Sequence, residues 1–125
     1  MSQKTYRFII ADDDHELRFF VRRILLQHYP DASVAEAANG EEALELYDAD
    51  GADLMVVDYK IPHINGAELI RKLRERSATI PIVMASNYPD AKNEAMTAGA
   101  TCFLEKEKLS PQLGYFLPAL VPSRK

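Results

Sequence analysis

Apolar residues along this chain fall into two rhythms that alternate five times. Residues 6–11 (YRFIIA) form a short apolar run ending in Asp12, Asp13 and Asp14; beyond it Leu17, Phe20, Val21, Ile24 and Leu25 return at the three- and four-residue spacing of one helical face. A buried strand feeding a helix is predicted. Residues 33–38 read as a second strand, which turns through Asn39 and Gly40 into a helix whose inner face includes Ala43, Leu44 and Tyr47. The third strand, LMVV at 54–57, runs into Asp58. A loop with Pro62 and Gly66 follows, then a helix with the stripe Leu69, Ile70 and Leu73, and with Asn65 placed to cap it. Residues 80–85 (IPIVMA) give a fourth strand ending at Ser86, and 90–98 a short, weakly amphipathic helix closed by Gly99. Residues 100–105 give a fifth strand. Leu113, Phe116, Leu117 and Leu120 mark a last helix that Gly114 and Pro118 interrupt, so it is expected to be short or bent.

Five strand–helix units with apolar strands predict a parallel sheet covered on both faces, because helical crossovers place helices on either side. The expected fold is α/β, a flavodoxin-like doubly wound (βα)5 sandwich with strand order 2-1-3-4-5. Ligands then bind beyond the strand ends, where strands one and three diverge. A length of 125 residues fits a single domain, 1–125 with its core at about 6–121, and the Pro-containing end reads as a linker toward an absent output domain. Hydrophobic residues at 47% against 27% charged are enough for a real core. The lone Cys102 forms no internal disulfide and reads as a small buried hydrophobe; with no signal-like N-terminus, the default location is the cytoplasm. No apolar run approaches the roughly 20 residues that span a bilayer. A net charge of −4 argues against this segment gripping nucleic acid by itself, and any DNA-binding output would lie elsewhere.

The strand ends carry the chemistry. Asp12 and Asp13 follow the first, Asp58 the third, Ser86 the fourth and Lys106 the fifth, and the predicted topology brings all five to one edge. Carboxylates held together repel one another unless a cation compensates, and an all-oxygen set suits a hard ion such as Mg²⁺, with Mn²⁺ able to substitute. With the metal and Lys106 neutralising a phosphoryl group, one carboxylate can act as nucleophile and form an acyl phosphate. Asp58 is the best placed. Ser86 would donate to a phosphoryl oxygen, as could backbone N–H groups near Tyr59 and Asn87.

Together IIADDD, VVDYKIPHINGAELI, MAS and FLEKE resemble the response-regulator receiver family of two-component signalling, over essentially residues 6–121. Each piece alone is weak; the four in this order and at these separations are not. The resemblance implies that Asp58 is the phosphoacceptor, Asp13 a direct Mg²⁺ ligand, Asp12 a carboxylate acting mainly through bound water, and the Lys60 backbone carbonyl the remaining metal contact. It implies that Ser86 and Lys106 contact the phosphoryl group, and that Ser86 and Phe103 move on activation. The phosphoryl donor would be a sensor histidine kinase or a histidine phosphotransfer protein. Transfer and hydrolysis would be self-catalysed, which makes a switch and not a conventional enzyme. Lys60 and Tyr88, each two residues past a site residue, would flank the hydrolytic water and slow dephosphorylation.

Two features depart from the family pattern. Glu107 follows Lys106 where many receivers have proline, so a cis X-Pro turn is not assumed there. The tail with Pro111, Gly114, Pro118 and Pro122 leaves phosphorylation-dependent homodimerisation through the last helix unspecified. These variations point toward transcription regulators as a class of output. Plainer readings stand beside the sharp ones. Asp12 to Asp14 suit a helix cap, Phe103 suits a core position, and the acidic pair Glu41–Glu42 and the run at 71–76 suit solvated helix faces. His15, His28 and His63 show no ligand spacing; His15 and His63 are expected in loops near the site. The alternative function is a phosphorylation-independent, receiver-like adaptor. A small phosphatase or flavodoxin-like enzyme ranks last, for want of a second acid–base group or a Gly-rich phosphate loop.

Overall fold

The computed structural model describes residues 5–122; the outermost residues assigned to the domain from sequence lie outside the described part. Five strands, β1 (Arg7–Ala11), β2 (Ser33–Ala37), β3 (Leu54–Val57), β4 (Ile82–Ser86) and β5 (Cys102–Glu105), alternate with α1 (His15–His28), α2 (Gly40–Asp50), α3 (Gly66–Arg76), α4 (Ala91–Ala98) and α5 (Leu109–Leu120). All four strand pairings are parallel and the order is β2-β1-β3-β4-β5. The flavodoxin-like fold expected from the sequence is the fold observed.

Alternation along each strand divides the interior into two cores. On β1, Phe8 and Ile10 face a core with Leu25, Val56, Val83, Leu113 and Leu117, whereas Ile9 and Ala11 face one with Val57, Leu69, Leu73, Met84 and Ala95. Because both faces are covered, β3 and β4 are buried at every position and read as unbroken apolar runs. The edge strand β2 is only partly buried, which is why its sequence, SVAEA, is the most polar of the five.

The starts of α1, α2 and α3 are set by side-chain caps that satisfy otherwise unpaired N–H groups. The Asp14 carboxylate accepts from the N–H groups of Glu16 and Leu17, Asn39 from Glu42 and Asn65 from Glu68. Gly99, at a φ of 116°, closes α4 in the left-handed region, as the sequence suggested.

Three expectations need correction. The last helix is neither short nor interrupted: a 3-10 turn (Lys106–Lys108) leads into twelve continuous helical residues. Pro111 occupies the first turn, where an N–H has no intrahelical partner anyway, and Pro118 lies in the last turn, where it removes a single bond. Gly114 faces His28 of α1, and a Cβ there would come within 3.1 Å of its ring, so the small residue serves helix packing and is no break. Phe20 and Phe116 are 40% and 37% exposed, because their neighbours Val21 and Leu117 take the sheet-facing positions. His15 is the first residue of α1 and not part of a loop.

One close approach ties the fold to the strand edge. A Cβ on Gly66 would lie 2.2 Å from the backbone carbonyl oxygen of Asp58, so α3 begins in direct contact with that residue. Gly66→Ala is expected to destabilise the protein by about 1–3 kcal/mol through overpacking against immovable backbone. Urea unfolding should show a lower midpoint with an unchanged slope.

Candidate functional site

The three consecutive aspartates after β1 divide their duties. Asp14 caps α1, which leaves the other two for the strand edge. Asp12 is buried, its N–H bonded to the Ala37 carbonyl of β2 at 3.0 Å and its Oδ1 accepting from the Asp14 N–H at 2.8 Å. Asp13 is exposed. Asp58 ends β3, also buried, with its N–H on the Ala11 carbonyl and its Oδ1 accepting from the Tyr59 N–H at 2.7 Å. Tyr59 N–H, expected from the sequence to be available to a phosphoryl group, is thus engaged by the Asp58 carboxylate itself.

Lys106, at the end of β5, is the cation these carboxylates share. Its Nζ lies 2.9 Å from Asp12 Oδ2 and 3.0 Å from Asp58 Oδ2. Burial alone would push the lysine's pKa down, yet hydrogen bonds and charge attraction from both aspartates outweigh it and hold the pKa above the ordinary value. The compensation does not extend fully to Asp12. Burial raises its carboxyl pKa most, the Asp14 N–H and Lys106 pull it down, and the Asp58 charge pushes it up again, with a net rise. One ammonium therefore does not balance two buried carboxylates.

Asp12, Asp13 and Asp58 can each present an oxygen within 4.8 Å of the others. Three hard oxygen donors with an uncompensated negative charge, open to solvent on the Asp13 side, fit a divalent cation of the Mg²⁺ kind. The neighbouring wall is a cleft of about 170 Å³ lined by Ser86, Asn87, Pro89, Glu105, Lys106 and Glu107. Ser86 is buried and its Oγ accepts from the Tyr88 N–H at 3.0 Å, closing the turn after β4. Lys60 and Tyr88 meet across the two loops, the ammonium 4.4 Å from the ring centroid. Phe103 is paired with Met84 in the sheet and partly buried against the α3 and α4 side of the core.

Three contributors escaped the sequence reading. Arg18 donates to the Asp12 carbonyl at 2.6 Å, although its place in the α1 sequence looks like a solvated face. Tyr59 donates its hydroxyl to Glu94 of α4 at 2.8 Å, and this bond to a carboxylate raises the phenol pKa. Gly66, read only as a loop residue, touches Asp58. Cys102 is partly buried, with a thiol pKa raised by that burial. No described helix is long and apolar enough to cross a membrane.

Comparison with known proteins bears on this arrangement. The sequence profile of the response regulator receiver domain matches residues 8–113. The chain is 35% identical over 106 residues to protein-glutamate methylesterase/protein-glutamine glutaminase 1 of Saccharophagus degradans, covering 81% of this chain and 28% of that protein. It is 35% identical over 109 residues to the nitrate/nitrite response regulator protein NarL of Escherichia coli, covering 85% and 50% respectively. The chain thus spans half or less of the length of these relatives. Among solved structures, a putative response regulator from Chloroflexus aurantiacus superposes with a TM-score of 0.85 at 28% identity, covering 96% of this chain and all of that one.

The raised Asp12 pKa has a consequence for stability. The folded protein holds that proton more tightly than the unfolded chain, so the contribution of Asp12 to stability is fully present below its ordinary value of 3.8 and is lost as pH rises through the raised folded value. In metal-free protein, Asp12→Asn should therefore raise the melting temperature by a few degrees at pH 7. Melting curves across pH should show that gain vanish in acid.

Proposed function

The chain belongs to the response regulator receiver family, and from that membership we propose that it is a Mg²⁺-dependent switch in which Asp58 accepts a phosphoryl group. The observation that carries this reading is the buried Asp58 carboxylate at the end of β3, with Lys106 at 3.0 Å and two further carboxylates beside it. The donor is the phosphohistidine of a sensor kinase or of a histidine phosphotransfer protein. An Asp58 carboxylate oxygen attacks phosphorus, the P–N bond to imidazole breaks, and the departing nitrogen is neutralised by a proton on the donor protein. The product is an acyl phosphate on Asp58.

Asp13 and Asp58 would hold the metal directly, Asp12 through water, and the Lys60 carbonyl would complete the protein's share. The metal supplies positive charge to the non-bridging phosphoryl oxygens. Lys106, now bonded to Asp12 and Asp58, would supply a second positive charge to the phosphoryl group. Ser86 would leave the Tyr88 N–H and donate its hydroxyl to a phosphoryl oxygen. Because Ser86 and Glu105 are register partners at the ends of β4 and β5, that movement bears on the face carrying Phe103, which would change rotamer with it. The activated face would then engage an output domain, another protein or a second copy of the chain. The chain matches relatives named as a protein-glutamate methylesterase and as a nitrate/nitrite response regulator, so family membership alone does not fix the class of output.

Intact mass after incubation with acetyl phosphate or phosphoramidate tests the reading. A Mg²⁺-dependent gain of one phosphoryl group, absent from Asp58→Asn, is expected; no gain with either donor would instead favour a phosphorylation-independent adaptor.

The Lys60–Tyr88 contact supports a second expectation, a phosphorylated form that persists for minutes or longer. The stacked pair covers the approach of hydrolytic water. Lys60→Ala and Tyr88→Ala should each speed loss of the phosphoryl group by about two- to fivefold, the worth of an exposed cation–π contact. A time course by mass spectrometry with unchanged, rapid decay in both variants would reject it.

A further inference from the structure

Beyond the carboxylates and the lysine, one guanidinium reaches into the strand edge from outside. Arg18 of α1 donates from one terminal nitrogen to the Asp12 backbone carbonyl at 2.6 Å, and its Nε lies 3.0 Å from Glu36 Oε1 on β2. Its side chain is only 13% exposed. Glu36 is itself held from the other side, since Arg22 bonds both Glu36 Oε2 at 2.9 Å and the Val34 carbonyl at 3.1 Å. The Arg18 fork is therefore fixed at both ends, against the edge strand and against the first site residue.

The carbonyl that Arg18 grips belongs to the peptide unit joining Asp12 to Asp13. On the other side of Asp12, the N–H is bound to Ala37 of β2. With both peptide planes around Asp12 pinned, and the next peptide tied down by the Asp14 N–H bond to Asp12 Oδ1, the direction in which the Asp13 side chain leaves the backbone is set. That matters because Asp13 is exposed and makes no side-chain hydrogen bond or ion pair within the described protein, so nothing but its backbone aims it. We propose that Arg18 is a positioning residue for the metal site: it orients the Asp12–Asp13 peptide so that both carboxylates face Asp58. The proposal rests on the reading of Asp12, Asp13 and Asp58 as the Mg²⁺ ligands.

Geometry and electrostatics make opposite predictions here. Arg18 is a positive charge near a cation site, so if it acted only through its charge, removing it would tighten Mg²⁺ binding. If it acts by orienting the peptide, removing it weakens binding by about ten- to hundredfold, the usual cost of losing an outer partner of a metal ligand. The experiment titrates MgCl2 into the full chain by calorimetry, for the wild type, Arg18→Met, Arg18→Lys and Arg22→Met. Arg18→Met keeps the stem and loses the fork. Arg18→Lys keeps the charge, and because one ammonium serves the carbonyl and Glu36 less well, its affinity should fall between the other two. Arg22→Met disturbs the same Glu36 without touching Asp12, and should bind as the wild type does.

The Mg²⁺ concentration for half-maximal phosphorylation by phosphoramidate should rise in parallel, with the rate at saturating Mg²⁺ within about twofold of wild type. Wild-type or tighter affinity in Arg18→Met would overturn the positioning role, as would equal weakening in Arg22→Met. If Arg18→Met does not fold, Arg18→Lys decides by the same affinity criterion. Failure of the wild type itself to bind Mg²⁺ would overturn the underlying metal assignment, a result distinct from all of these.

Discussion

The strand edge is organised around a charge imbalance: two buried carboxylates share one ammonium. Lys106 sits within 3.0 Å of both Asp12 and Asp58, and still the Asp12 carboxyl remains harder to ionise than an ordinary one. Burying carboxylates this way is unfavourable unless something further compensates. The neighbouring structure can be understood as keeping that arrangement in place. Strand pairing brings the ends of β1, β3 and β5 to one edge, α3 begins against Asp58, and Arg18 and Lys106 hold Asp12 from two sides. Stability given up at the edge is recovered in the two apolar cores beneath it.

Most of the fold could be read from the chain because its two periodicities are clean. Central strands buried on both faces appear as short apolar runs, and helices covering one face appear as stripes. The misreadings have specific physical causes. Pro118 and Gly114 look like breakers, but a proline in the last turn removes only one bond, and a glycine facing a histidine on another helix answers to tertiary packing that sequence does not display. Phe20 and Phe116 look like core residues because size and hydrophobicity do not say which of two adjacent helical positions turns inward.

The site was legible to the extent that its residues terminate strands. Asp12, Asp13, Asp58, Ser86 and Lys106 could be found by reading strand ends alone, and the structure joins Asp12, Asp58 and Lys106 directly. Their supports were not legible. Arg18 lies one helical turn beyond Asp14, between Leu17 and Phe19, and its reach to a backbone carbonyl depends on where β2 falls beside β1. The Tyr59 hydroxyl's bond to Glu94 depends likewise on how α4 lies beside the loop after β3. Contacts between side chains and distant backbone leave no periodic trace.

The order of strands also bears on how the protein is made. Neighbours in the sheet are not all neighbours in the chain: β1 lies between β2 and β3, and Lys106 must cross from the last strand to meet Asp58, 48 residues earlier. Closing such loops is entropically slow, and the contacts that repay the closure come only with the completed sheet. A nascent or partly folded chain can hold the early strands and helices while lacking the lysine that makes its acidic edge tolerable. The three-way charge contact of Asp12, Asp58 and Lys106 thus closes only when the last strand is in place, so the edge is the last part of the sheet to be completed.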